Sequence, residues 1–138
     1  MSLAFVGLLL ALGAPPGSPP HVAGTAFAPP AAWISVGKSS HWLVFGSYCW
    51  RTTCADMLPP TTRHDIPVLR APRGTTVRFH LRFRPTRVRL MLVGDCGITR
   101  TWRLAAVAAP TWRFAATGTF VLETKASPGS AGYVFRLR

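Results

Sequence analysis

The stretch TVRFHLRF, residues 76 to 83, alternates apolar and polar side chains without interruption. Every second residue from Val77 to Phe83 is apolar, and the residues between them are Arg78, His80 and Arg82. A period of two places alternate side chains on opposite faces of a β-strand. The stretch therefore predicts a strand with one face in a hydrophobic core and one basic face.

Later parts of the chain repeat this alternation. Residues 87–93 (RVRLMLV) and 133–138 (YVFRLR) each place an apolar side chain at every second position. Turn-forming residues interrupt the chain about every 8 to 12 residues, a spacing typical of sandwiches. The candidate strands are Trp33–Val36, His41–Phe45, Ile66–Leu69, Thr76–Phe83, Arg87–Val93, Thr101–Val107, Thr111–Ala115, Thr119–Lys125 and Tyr133–Leu137. The sequence predicts an all-β, immunoglobulin-like antiparallel β-sandwich of about seven to nine short strands.

The beginning of the chain has a different composition. Residues 3–14, LAFVGLLLALGA, are apolar and too short to span a bilayer comfortably, so we interpret 1–14 as the hydrophobic part of a secretory signal peptide. The usual basic start is missing, since no Lys or Arg precedes Lys38, and a buried strand or helix is the alternative. Residues 15–31 are rich in Pro, Gly and Ala and predict a linker. The folded domain is then 32–138.

Two of the three cysteines lie close together in GSYCWRTTCAD, residues 46–56. Exported chains meet oxidising conditions, in which neighbouring cysteines oxidise. The short loop from Cys49 to Cys54 is compatible with disulfide geometry, and we expect the bridge to stabilise the fold by about 2 kcal/mol. We expect Trp50 to pack beside this bridge and Asp56 to cap the following turn. A redox site usually has C-x-x-C at a helix N-terminus, and a zinc site needs four suitably spaced ligands, so both are disfavoured.

The third cysteine, Cys96, lies in VGDCG, residues 93–97, which is typical of a turn. A leftover cysteine in an exported protein has several interpretations. The alternatives are a semi-buried inert thiol in a tight turn, a free thiol, an intermolecular bridge that makes a dimer, and an alternative partner for Cys49 or Cys54.

The chain is strongly basic, with 16 Lys and Arg against 4 Asp and Glu and a net charge of +12. Such a charge attracts polyanions through its long-range field and counterion release. If residues 76–83 and 87–93 pair as a hairpin, their arginines crowd together and predict an anion-binding face. The candidate anion-binding residues are Arg78, Arg82, Arg84, Arg87 and Arg89. The alternatives are a coding bias toward arginine and solvated arginines that protect an exposed sheet.

The sequence contains few residue patterns that are typical of catalytic sites. None of the four carboxylates is spaced as a glycosidase pair, and no Gly-rich loop joins a strand to a helix. We therefore predict no catalytic residues, no metal site, no cofactor and no enzymatic activity. The alternatives are a protein-interaction module that uses exposed aromatics such as Trp42, Trp50 or Trp112, and a thiol- or metal-dependent enzyme.

Several motifs occur together in a known order. They are Gly46-Ser47-Tyr48-Cys49-Trp50, Cys54-Ala55-Asp56, Pro59-Pro60 and a closing G-T-F…G-Y-V-F pair. In this order the chain resembles a group of uncharacterised exported proteins of Gram-positive bacteria, often lipoproteins, with a Y-C-W segment and a following C-x-D. Tyr48, Trp50 and Asp56 carry that motif, whereas the lipoprotein cysteine is missing. The resemblance implies a β-sandwich outside the cytoplasm and no reaction.

These observations lead to one expectation about function. We expect an exported, non-catalytic module of the cell envelope that binds an anionic cell-wall polymer or an anionic lipid surface. A protein partner is the alternative, and export makes nucleic acid an unlikely physiological ligand. The chain is expected to be a monomer, with a dimer through Cys96 as the alternative.

Overall fold

The computed structural model describes residues 13–20 and 27–138. Within these residues the chain forms eleven β-strands and one short 3₁₀ helix, Pro60–Thr62. The strands are β1 (Trp33–Val36), β2 (Ser39–Trp42), β3 (Val44–Trp50), β4 (Thr53–Ala55), β5 (Val68–Leu69), β6 (Thr76–His80), β7 (Arg87–Gly94), β8 (Gly97–Leu104), β9 (Thr111–Arg113), β10 (Gly118–Ala126) and β11 (Gly129–Leu137).

The strands form two sheets. The small sheet has the order β2-β1-β6-β9, and the large sheet has the order β4-β3-β11-β10-β7-β8. β5 joins the large sheet by pairing in parallel with β11, and the other pairs are antiparallel. The predicted all-β sandwich is confirmed. The structure has two strands more than the nine candidates. The chain passes between the sheets at Leu43, which divides the expected strand His41–Phe45 into β2 and β3, and β4 was not predicted.

The connections follow the immunoglobulin-like plan. β7–β8 and β10–β11 are hairpins in the large sheet, whereas β6 to β7 and β9 to β10 cross from one sheet to the other. Such crossings give the two-sheet Greek-key arrangement of these sandwiches. The expected hairpin between residues 76–83 and 87–93 is therefore wrong. β6 instead pairs with β1 and β9, and Leu81 donates its backbone N–H to the Ala108 carbonyl at 2.8 Å.

The core lies between the two sheets and contains the side chains that the alternation predicted. Phe79 from β6, Leu90 from β7 and Phe135 from β11 are fully buried. The rings of Phe120 and Phe135 are stacked with their centroids 5.3 Å apart, and the centroids of the Phe79 and Phe135 rings are 5.6 Å apart. Burial of each large side chain contributes about 2 to 3 kcal/mol. The alternating strands are thus held together through their apolar faces.

The end of the predicted linker is attached to this core. The buried Tyr133 hydroxyl donates a hydrogen bond to the Pro30 carbonyl at 2.7 Å, and burial raises the pKa of Tyr133 above its usual range. The predicted signal-peptide segment, residues 1–14, lies outside the described residues except for residues 13 and 14. Among the residues that are described, no helix has the length and apolarity to cross a membrane.

Candidate anion-binding groove

The outer face of the large sheet carries buried apolar side chains, although it points away from the core. Val134 is fully buried there and Met91 is 9% exposed. The alternation in β11 places Val134 opposite the core-facing Tyr133 and Phe135. Residues 56–67, which we call the covering loop, join β4 to β5 and lie over this face, with the 3₁₀ helix contacting β7 and β10. The loop explains why this face is not fully solvated.

The covering loop is fixed to the sheet at its start and near its middle. At its start, the Met57 backbone N–H donates to the Ser47 hydroxyl at 3.0 Å. Further along, the Arg136 guanidinium donates through Nη2 to the carbonyls of Pro60 at 3.2 Å and Arg63 at 3.1 Å. The Arg63 guanidinium donates to the Phe45 carbonyl. These contacts hold the loop in one position relative to the strands beneath it.

Two further contacts orient Arg63 and Arg136. Arg63 forms a two-pronged ion pair with Asp65 at 2.9 and 2.7 Å, which lowers the pKa of the Asp65 carboxyl. Arg136 also donates through Nε to the Thr119 hydroxyl at 3.1 Å. Each guanidinium thus contacts both a side chain and at least one backbone carbonyl, which fixes its orientation. We call these two side chains, Arg63 and Arg136, the clamps, because they connect the covering loop to the sheet.

A groove with a volume of about 530 Å³ runs between the covering loop and the exposed part of the sheet. Its floor includes Gly46 and Gly132, where a Cβ would lie only 3.2 Å from the Val134 side chain and 3.1 Å from the Ser47 carbonyl. The absence of side chains at these two positions keeps the floor open. Met57 and Leu58 line the side formed by the loop.

The opposite side of the groove carries three cations, Arg87, Arg89 and Lys125, which we call the cationic rim. Cross-strand register places Arg89 next to Glu123 and Arg87 next to Lys125. Glu123 Oε1 accepts from Arg87 at 3.0 Å and from Arg89 as well. Since one carboxylate faces three cations, the groove has an excess of two positive charges.

Arg89 has a further property relevant to ligand binding. Its Nε is buried and, among the described residues, has no hydrogen-bond partner. A buried donor without an acceptor is unfavourable by about 1 to 3 kcal/mol. Arg103 lies directly across from Arg89 on β8 and is exposed, so it extends the positive charge on this face toward the sheet edge.

The five predicted anion-binding arginines do not form one stripe. Arg87 and Arg89 share the groove, whereas Arg78 lies on the outer face of the small sheet, paired in register with Thr111. Arg82 and Arg84 are exposed in the connection between β6 and β7. The separation follows from the crossing of the chain between sheets.

The predicted disulfide is present between Cys49 and Cys54, with sulfurs 2.09 Å apart. The two residues face each other across β3 and β4. The expected position of Trp50 is wrong, because Trp50 lies on the opposite face of β3 and packs in the core against Phe83 at 5.1 Å. Its neighbour two residues earlier, Tyr48, is also buried in the core.

Asp56 is exposed at the start of the covering loop. The side chain that holds the following backbone N–H is that of Ser47, on the neighbouring strand. The expected cap by Asp56 is therefore wrong, because the Ser47 hydroxyl on β3 accepts this hydrogen bond instead.

Cys96 is free and exposed at the turn of the β7–β8 hairpin. The interpretation as a free thiol is therefore confirmed, those as a semi-buried thiol and as a partner of the other cysteines are wrong, and a dimer through Cys96 stays a prediction. Of the tryptophans considered as exposed contacts, Trp50 and Trp112 are buried in the core, and Trp42 is half-buried against the edge of Trp33 at 5.6 Å.

A second polar cluster lies on the outer face of the small sheet. His80 stacks on Trp33 with ring centroids 4.8 Å apart, and its Nε2 lies 2.8 Å from the Ser35 hydroxyl. Burial, and to a lesser degree the charge of Arg78, lowers the pKa of His80. Ser35 is only 3% exposed, so this pair is a structural hydrogen bond rather than an accessible nucleophile and base.

Sequence reasoning missed several residues of the groove, including both glycines, Lys125 and the covering loop. Arg87 and Arg89 of the rim were predicted from the sequence, whereas Glu123 and Lys125 become their neighbours only through the pairing of β7 with β10. Within the described part of the chain, no three His, Cys, Asp or Glu side chains gather as metal ligands. Comparisons with protein-family models, curated proteins and solved structures find no match to this chain.

Proposed function

We propose that this protein is an exported, non-catalytic module of the cell envelope that binds an anionic polymer or lipid in the groove. The disulfide-bonded β domain is consistent with an oxidising, extracytoplasmic location. The apolar run at residues 3–14 and the resemblance to exported Gram-positive proteins support the same location. The outer face of the large sheet takes the role that the sequence assigned to a longer arginine stripe.

The observation that carries this proposal is the cationic rim. Arg87, Arg89 and Lys125 line an open groove that holds a single carboxylate, Glu123, and that carboxylate pairs with the two arginines. Arginine presents a planar fork of donors that suits phosphate and carboxylate groups. A phosphate placed between the loop and the rim would supply acceptors to the accessible guanidinium and ammonium N–H groups that Glu123 alone does not satisfy.

The experiment that tests the proposal is a binding titration with inorganic polyphosphate at several salt concentrations. The variant Arg87→Gln/Arg89→Gln removes two rim cations. We expect weaker binding and a smaller salt dependence, by about one unit of logarithmic slope for each phosphate-contacting cation removed.

The matched control is Arg78→Gln/Arg113→Gln, which removes the same charge from the outer face of the small sheet, where both side chains are exposed. This control should bind almost as tightly as the unmodified chain. Equal losses in the two variants would show that net charge, and not the groove, attracts the anion. Such a result would refute the proposed site.

A further inference from the structure

We infer that the anion bound at the groove is the headgroup layer of a membrane, with Leu58 entering the apolar region beneath the headgroups. This inference rests on the proposed function and names the source of the anionic groups. It is carried by the position of an exposed apolar side chain beside the cationic rim.

Leu58 is the most exposed of the large apolar side chains in the described residues, at 70%. It lies on the covering loop between the groove and a second depression of about 420 Å³, which Arg63 and His64 line. Leu58 therefore stands on a ridge, with the cationic rim across the groove on one side and the Arg63–Asp65 ion pair on the other. Pro59 and Pro60 follow it directly and add apolar surface without backbone N–H groups that would need hydration.

A soluble polyanion uses the cations but has no use for an exposed leucine. A bilayer surface uses both, because interfacial binding combines burial of apolar side chains with attraction of basic residues to anionic lipids. Either contribution alone gives weak attachment, and the two together give stable attachment. The juxtaposition of Leu58 and the rim on one face thus favours the membrane over a polymer.

The covering loop is also rigid enough to present Leu58 without a large entropic cost. The clamps from Arg136 and Arg63 fix its backbone, and Thr62 donates from both its N–H and its hydroxyl to the Pro59 carbonyl at 3.0 and 2.9 Å. Binding groups that are already ordered lose little freedom on association. The loop is therefore preorganised for contact with a surface.

The test is co-sedimentation of the full chain with two kinds of vesicle, one of phosphatidylcholine and one of phosphatidylcholine with phosphatidylglycerol. Leu58→Ser removes the apolar side chain and leaves every cation in place. We expect about tenfold weaker binding to the anionic vesicles, the effect of burying most of a leucine side chain. Binding of the same variant to soluble polyphosphate should weaken much less than vesicle binding does, because a soluble polyanion has no apolar layer for Leu58 to enter.

The matched control is Val107→Ser, which removes an exposed apolar side chain from the loop between β8 and β9 and should not change vesicle binding. All variants keep residues 1–14, so that apolar segment contributes equally to each. Arg87→Gln/Arg89→Gln should weaken vesicle binding about fivefold for each cation removed.

The outcomes separate the two proposals. If Leu58→Ser binds anionic vesicles as well as the unmodified chain does, the membrane inference is wrong, whereas loss of polyphosphate binding in the rim variant would still support the proposed function. If the unmodified chain binds neither vesicles nor polyphosphate, both proposals fail. Equal binding to neutral and anionic vesicles would also overturn the inference, because the rim would then have no role.

Discussion

Replacing Arg136 by methionine tests the attachment of the covering loop most directly. The Arg136 guanidinium donates three hydrogen bonds, to the Thr119 hydroxyl at 3.1 Å and to the carbonyls of Pro60 and Arg63 at 3.2 and 3.1 Å. Methionine keeps much of the apolar stem of the side chain and removes all three donors. The loss therefore falls on the contacts between β11 and the loop and not on the core.

The magnitude follows from these three contacts. Each hydrogen bond contributes about 0.5 to 1.5 kcal/mol net, and water can replace part of the loss once the loop lifts. We expect the Arg136→Met variant to lose about 2 kcal/mol of unfolding free energy. Binding to polyphosphate should weaken as well, although every cation of the rim is retained, because one wall of the groove is no longer held in place.

Urea unfolding measures the first effect as a lower midpoint with an unchanged slope. Limited trypsin digestion reports opening of the covering loop through cleavage after Arg63, and a polyphosphate titration measures the loss of binding. Arg138→Met is the control. Arg138 is exposed, and its substitution removes the same charge two residues away from Arg136. A change below about 0.5 kcal/mol together with an unchanged cleavage rate would refute the clamp.

Three other predictions concern the framework. Replacing Cys49 and Cys54 by serine should cost about 2 kcal/mol in urea unfolding, because so short a loop confers little chain entropy, and no effect at all would count against the bridge. Gly129→Ala should cost about 3 kcal/mol or more, because Gly129 has φ +153° and a Cβ would lie 2.0 Å from the Cys49 carbonyl, whereas Gly37→Ala, at φ +59° in open space, should cost about 1 kcal/mol. Unfolding free energy should fall as the pH drops below about 6.5, because the lowered pKa of His80 lets the unfolded chain take up a proton first. His80→Gln should reduce that fall, and an identical pH profile in the variant would disprove the assignment.

Local alternation predicted the strands whose one face is buried and whose other face is polar. β6 is the clearest case, because Val77 and Phe79 face the core while Arg78 between them is exposed. The disulfide could also be predicted, because a short loop between two cysteines is a local feature. These properties depend on residues that are close in sequence.

The partners of each strand could not be predicted in the same way. Arg89 and Glu123 are 34 residues apart, yet they face each other across β7 and β10. The predicted hairpin between residues 76–83 and 87–93 is wrong because the chain crosses to the other sheet after β6. This crossing depends on packing between the sheets and not on the local sequence pattern. Val134 lies on the face of β11 opposite the core and is nevertheless buried, and the covering loop that lies over this face is about 70 residues earlier in the chain.

The covering loop is attached almost entirely through main-chain carbonyl oxygens. Those of Phe45, Pro60 and Arg63 accept from the two clamping guanidiniums. Every amino acid supplies such an oxygen, so substitutions at Met57 or Leu58 leave these attachments intact. One wall of the groove can therefore diversify, in natural evolution or in a laboratory library, while its scaffold stays the same.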